Sequence, residues 1–223
     1  MPLYGKGKLH AWRYSRKRGL GNIIERDEQK RVRLRQETAR WTQFKSPLGR
    51  VSTNIGIDIP AWIQRRHAQK RKPLTVLDWG CGDGTTIEQL AKRYPEEVHA
   101  YGYDHQSRRT WITSTRVKYI HNDATSMLRY IKKGSMDLIY SHYGLTHLLY
   151  GQSLPERIRY TQRLAERLKP GGLFSMNFDS KHEMHIRPVA EALQRLLGKE
   201  YDVKLIINPQ WPPKRFLHVQ RLE

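Results

Sequence analysis

A short apolar run that empties into a glycine-rich turn constrains this chain more than any other feature. Residues 75–78 read Thr-Val-Leu-Asp, and Trp79-Gly80-Cys81-Gly82-Asp83-Gly84 follow at once. Such a run reads as a buried parallel strand. Closely spaced glycines after it let the backbone approach a ligand. Beyond the turn the period changes to that of a helix: Ile87, Leu90, Ala91 and Tyr94 share one face, and Pro95 stops it.

The alternation continues to the C-terminus. Strands are expected at Val98–Tyr103, Val117–Ile120, Asp137–Ser141 and Leu173–Phe178. Helices are expected at 105–116 (carrying Trp111), at Thr125–Lys133 with Gly134 as C-cap, from Ser153 with Glu156 completing a capping box, and at 183–197. Two final strands, Val203–Ile207 and Phe216–Leu222, are joined by Asn208–Arg215 with no room for a helix, so they must pair as a hairpin. The pattern gives an α/β fold: a mostly parallel sheet, helices on both faces and one antiparallel strand.

The first third of the chain differs in composition. The net charge is +20, and residues 1–72 hold 19 Lys/Arg against 5 Asp/Glu. Residues 1–24 contain no acid, and their cations are interleaved with Tyr4, Trp12 and Tyr14. This reads as a flexible basic arm whose aromatics can stack on bases. Residues 25–72 read as a basic helical extension, with Leu34, Thr38 and Trp41 on a narrow stripe, a loop over 45–57, and a short helix starting at Asp58-Ile59-Pro60 and anchored by Trp62 and Ile63. The core domain is expected over 73–223. Charge of this density attracts polyanions, RNA ahead of DNA; a merely solubilising tail is the alternative.

A single cysteine, Cys81, excludes an internal disulfide and a Cys-rich zinc site, and no metal is expected. No apolar run is long enough to span a bilayer, so no membrane insertion is expected, and a cytoplasmic location is expected ahead of a mitochondrial one.

The segments VLDWGCGDG, YGYD, HNDA, MDLIYSHYGLTHL and LKPGGLF occur in that order between residues 76 and 174. In order and spacing they resemble the class I S-adenosylmethionine-dependent methyltransferases, and the resemblance covers residues 75–222. It implies a Rossmann-like seven-stranded sheet in the order 3-2-1-4-5-7-6 and S-adenosylmethionine as cofactor. It implies a cofactor site of Asp78, Gly80, Cys81, Gly82, Gly84, Thr85, Asp104, His105, Asp123, Ala124 and Ser141, with Asp104 on the ribose and Asp123-Ala124 at the adenine edge. Asp104 alone would also suit a dinucleotide, but the loop reads G-x-G-x-G and not G-x-G-x-x-G.

The acceptor is read from residues beyond these motifs. Ser141, His142 and Tyr143 follow the fourth strand on the ligand face, and His142 is the candidate base or positioning group. His147 reads as a structural histidine and Cys81 as a packing residue. Candidate acceptor-binding residues are Arg65, Arg66, Asn177, Asp179, Trp211, Lys214 and Arg215. The expectation is methyl transfer to RNA; a small-molecule or protein acceptor, and a catalytically silent nucleic-acid or ribosome-binding module, are the alternatives.

Overall fold

The computed structural model describes residues 47–106, 114–208 and 214–223. The arm (1–24), the stripe at Leu34–Trp41, Trp111 and Trp211 lie outside them. The first elements are two helices, α1 (Leu48–Asn54) and α2 (Ile59–Lys70). The chain then runs through β1 (Leu74–Trp79), α3 (Thr85–Arg93), β2 (Val98–Asp104), β3 (Val117–His121), α4 (Ala124–Met127) and β4 (Met136–Ser141). It continues with α5 (Gly144–Tyr150), α6 (Leu154–Ala165), β5 (Leu168–Asn177), a 3-10 turn (Ser180–His182), α7 (Glu183–Leu196), β6 (Tyr201–Asn208) and β7 (Lys214–Arg221).

The sheet order is β3-β2-β1-β4-β5-β7-β6, as the motifs imply. The first five strands pair in parallel, while β7 runs antiparallel between β5 and β6. Strand residues alternate between two cores. Leu77, Trp79 and Ile139 face the one built with α5, α6 and α7, whereas Leu74, Val76, Leu138 and Tyr140 face the one built with α1, α2 and α3. Burial on both faces explains why these strands read as unbroken apolar runs.

The expected boundary at residue 73 is not the edge of this core. Leu48, Val51, Ile55, Ile59 and Ile63 are buried in the second cluster, the three isoleucines completely. Ser175 Oγ (2.8 Å) and the His218 ring (3.0 Å) both bond the Ile55 carbonyl, fixing the α1–α2 corner to β5 and β7. The segment 45–57, expected as a loop, contains α1. The Thr125–Lys133 helix shrinks to the single turn of α4, and β5 starts at Leu168, five residues early, with a register shift opposite Met136–Leu138. Both N-cap expectations hold: Asp58 Oδ1 accepts from the Ala61 amide (3.0 Å), and Ser153 with Glu156 forms the capping box.

At the strand-start edge, buried Asp137 accepts from the Thr75 amide (2.8 Å), Lys70 Nζ (3.0 Å) and Lys169 Nζ (2.5 Å). Burial opposes its ionisation, but these three donors together hold the carboxyl below its ordinary range. The last residue of α2 and the starts of β1, β4 and β5 are thus tied at one carboxylate.

Candidate active site

All parallel strands end at the opposite edge, where the candidate site lies. Gly80 and Cys81 donate backbone bonds to Tyr103 O (2.8 and 2.9 Å), fastening the glycine turn to the end of β2. Gly80 has φ 81°, and a Cβ there would sit 2.8 Å from Gly144 Cα. The turn and the start of α5 therefore touch backbone to backbone. Gly84, φ 84°, leaves room for the Tyr119 ring, whose hydroxyl donates to Glu88 (2.8 Å).

Acids converge on this turn in an otherwise basic chain. Asp104, 2% exposed, accepts from the Gly82 amide (3.0 Å) and the Gln106 amide (3.0 Å), with His105 Nδ1 also at 3.0 Å. Asp78 is buried and accepts from the Tyr140 hydroxyl (3.1 Å). Burial, with Asp104 and Asp83 nearby, pushes its carboxyl up to about 8. Asp78 does not cap α3: Asp83 Oδ1 receives the Thr85 amide (3.0 Å) instead. Cys81 is packed in the core and burial pushes its thiol up, which fits a packing residue and not a nucleophile.

The rim beside β3 is propped from beneath. Tyr103 Oη donates to Asn122 O (3.1 Å), Tyr160 Oη to Ala124 O (2.8 Å), and Trp79 Nε1 to Tyr160 Oη (3.2 Å). Asp123 Oδ1 accepts from the Ser126 amide (2.9 Å), starting α4. Trp79, Tyr103 and Tyr160 thus hold Asp123-Ala124 in place. Reading along the sequence missed these supports, because Tyr160 meets the rim only through the fold.

The remaining side is built from three segments. Ser141 is fully buried and its Oγ receives the Leu145 amide (2.8 Å), which ties the first turn of α5 to the end of β4. His142 Nε2 lies 2.8 Å from Asn54 Nδ2 of α1. Burial first, then Arg50, lowers the imidazole to about 4, so the ring is neutral at physiological pH. Tyr143 takes the left-handed backbone conformation (φ 64°), which costs a non-glycine residue roughly 1–3 kcal/mol and is held here by its amide bond to Asn177 Oδ1 (2.8 Å). Its hydroxyl bonds Asp179, and burial and that carboxylate raise it to about 12. Asn54 and Arg50 adjoin this candidate site from a segment that the sequence reading left as a loop.

The substrate candidates separate. Asn177, Asp179 and Arg215 lie at the ligand edge, where Arg215 Nε pairs with Glu183 (3.3 Å) and Arg215 O receives the Phe178 amide (3.1 Å). Lys214 opens β7 at the same edge. Arg65 and Arg66 do not join them. Helix α2 descends from the corner beside His142 to Asp137, and Arg66 pairs with Glu223 (3.0 Å) at the strand-start edge. Their position beside the core in sequence does not survive the length of that helix.

Residues 76–172 match the family model of a methyltransferase domain. The chain thus carries a methyltransferase domain, and its sheet has the strand order that the class I resemblance implies. Trans-aconitate 2-methyltransferase from Deinococcus radiodurans is 30% identical over 149 residues, 64% of this chain and 49% of the relative, so the chain spans about half the length of the curated relative it matches. The methyltransferase fold recurs in a Methanococcus maripaludis protein described as an S-adenosyl-L-methionine-dependent methyltransferase (TM-score 0.55, 12% identity, 84% of this chain and 93% of that one). It recurs also in a Clostridium thermocellum protein described as an rRNA-methylase (TM-score 0.51, 20% identity, 72% and 96%). Among the described residues no set of three or more His, Cys, Asp and Glu side chains is placed to hold a metal, and no helix is long and apolar enough to cross a membrane.

Proposed function

We propose that this methyltransferase domain binds S-adenosylmethionine and methylates an RNA held against His142, Tyr143 and Asp179. The observation that carries the cofactor assignment is electrostatic. Asp83 and Asp104 both act on buried Asp78 beside the glycine turn of a chain whose net charge is +20. A ligand with ammonium and sulfonium charges and ribose hydroxyls complements that grouping; a dinucleotide pyrophosphate does not. Asp104 would accept from the ribose, the Gly80–Gly84 backbone would lie along the methionine portion, and Asp123-Ala124 would border the base. When bound, the cofactor supplies a methyl group already activated on sulfur.

The protein's own part is positioning and proton management. Asn54 Nδ2 donates to Nε2 of neutral His142, so the ring presents Nδ1–H and would position the acceptor. Asp179 can take a proton from the acceptor directly or through the hydroxyl of Tyr143. Arg50 acts on His142 and Tyr143, and Lys181 on His182, so two cations border this end and suit a phosphate backbone. The charge concentrated in residues 1–72 supports the same reading. Similarity to an enzyme named for trans-aconitate favours a second one, a small acidic acceptor held by those cations.

Calorimetry with S-adenosylmethionine tests the cofactor. Wild type is expected to bind, and Asp104→Ala to lose about ten- to hundred-fold in affinity, the range for hydrogen bonds to a charged group. An Asp104→Ala variant that binds as wild type does would sink the assignment. Labelled cofactor offered to fractionated RNA, protein and small acids tests the acceptor: product that survives ribonuclease counts against RNA.

A further inference from the structure

A series of aromatic and imidazole rings leads away from Tyr143 along α5 and onto the start of α7. Ring centroids are 6.5 Å apart for Tyr143–His147, 6.0 Å for His147–His182, 5.1 Å for His182–Tyr150 and 5.2 Å for Tyr150–His185. The last three pairs meet edge to face, at 86°, 82° and 73°, within the attractive range for such contacts. The series reaches the surface at Tyr150, which is 45% exposed, whereas His182 behind it is buried (3%) and His185 half-buried; Met184, next to His185 in sequence, is 72% exposed. The series starts at a residue of the candidate transfer site and opens to solvent at Tyr150.

Two imidazoles brace the Tyr150 ring, so it has little freedom to lose on contact with a partner. Nearby acids are already engaged: Glu183 by Arg187 (2.7 Å) and Arg215 (3.3 Å), and Asp179 by Tyr143. The cations felt by the rings are Lys181, beside His182, and Arg157, beside His185; His182 also feels Asp179, whose carboxylate lies 3.9 Å from its Nδ1. A braced, half-exposed ring with Lys181 and Arg157 nearby complements a base and its phosphate. Stacking on such a ring tolerates any base, because every base offers a π face.

Resting on the RNA reading above, we propose that Tyr150, His185 and Met184 form a platform on which a base flanking the methylated nucleotide stacks. The platform is distinct from the cofactor turn and lies one ring series away from Tyr143. It orients the strand without taking part in the chemistry.

Anisotropy of a labelled mixed-sequence single-stranded RNA, titrated with the full chain, tests this. Tyr150→Ala is expected to weaken binding about ten-fold, His185→Ala less, and Tyr150→Trp to restore it. Affinity for S-adenosylmethionine by calorimetry is expected to be the same in all three, which reports that the fold is intact. If wild type binds no RNA at low salt, the RNA reading fails and the platform with it. If wild type binds and Tyr150→Ala binds equally well, the platform alone is overturned. A Tyr150→Trp variant as weak as Tyr150→Ala overturns stacking. Loss of binding to phosphatidylserine vesicles in Tyr150→Ala, with RNA affinity unchanged, overturns the proposal in favour of a membrane surface.

Discussion

Ionisation of Asp78 opposes folding, and the sign of that effect can be measured. Its carboxyl is raised to about 8 in the folded chain, against 3.8 in the unfolded one. Between those values the folded state holds a proton that the unfolded state has released. Stability from this group is therefore complete at low pH and falls as pH rises toward 8. Unfolding free energies from urea titration, taken at about pH 5 and about pH 8, should drop more in wild type than in Asp78→Asn. Equal drops would show that Asp78 is ionised throughout. Asp137 works in the opposite sense, since its lowered carboxyl loses its contribution only as the solution becomes acid. Asp78 and Asp104 were legible because a strand, a turn and a second strand end are local features of the sequence. His142 was legible for the same reason. Asn54 was not, because its contact with His142 spans 88 residues and belongs to the packing of α1.

The elements that escaped a linear reading are those whose stability comes from their neighbours. Helices α1 and α5 have seven residues each and no side-chain cap. Pieces that short are marginal alone and form because a core receives one face of them. Their signals were faint: Leu48, Val51 and Ile55 in α1, Leu145 and Leu149 in α5. The long strands and the capped α6 were read correctly in kind because period and caps agreed. The contact between Gly80 and Gly144 joins a legible element to a missed one. A Gly144→Ala side chain would lie 2.8 Å from Gly80 Cα, and neither partner has a flexible end that can yield. Overpacking of this kind costs about 1–3 kcal/mol. Urea unfolding should register that loss, and calorimetry should show weaker cofactor binding as the turn is displaced. Unchanged values for both would mean the two backbones can separate freely.

For the molecule as a whole, the division between basic extension and catalytic domain falls earlier than charge suggests. A chain lacking residues 1–72 would lose Leu48, Val51, Ile55, Ile59 and Ile63 and uncover Val76, Leu138 and Tyr140. Each buried isoleucine is worth about 2–5 kcal/mol, and a domain has about 5–15 kcal/mol in all. That truncation should not fold, as judged by circular dichroism and loss of a cooperative melt. Removing only residues 1–24 should preserve the melt and the cofactor affinity, and should weaken RNA binding with a shallower salt dependence. A cooperative melt from the 73–223 fragment would return the α1–α2 pair to the status of an appendage.

The Ile55 carbonyl, held by Ser175 and His218, has a consequence for how the protein is made. A ribosome delivers the chain from its N-terminus, yet β7, the strand that carries His218, follows every other strand of the sheet and inserts between β5 and β6. Until it arrives, β5 and β6 have no shared neighbour, and the corner between α1 and α2 has lost one of its two clasps. The earliest elements must therefore wait for the latest. Contacts of this sequence separation make for slow closure, and the interval is one in which unpaired strand edges are open to other chains. The strand β7 therefore acts as the fastener for the whole domain.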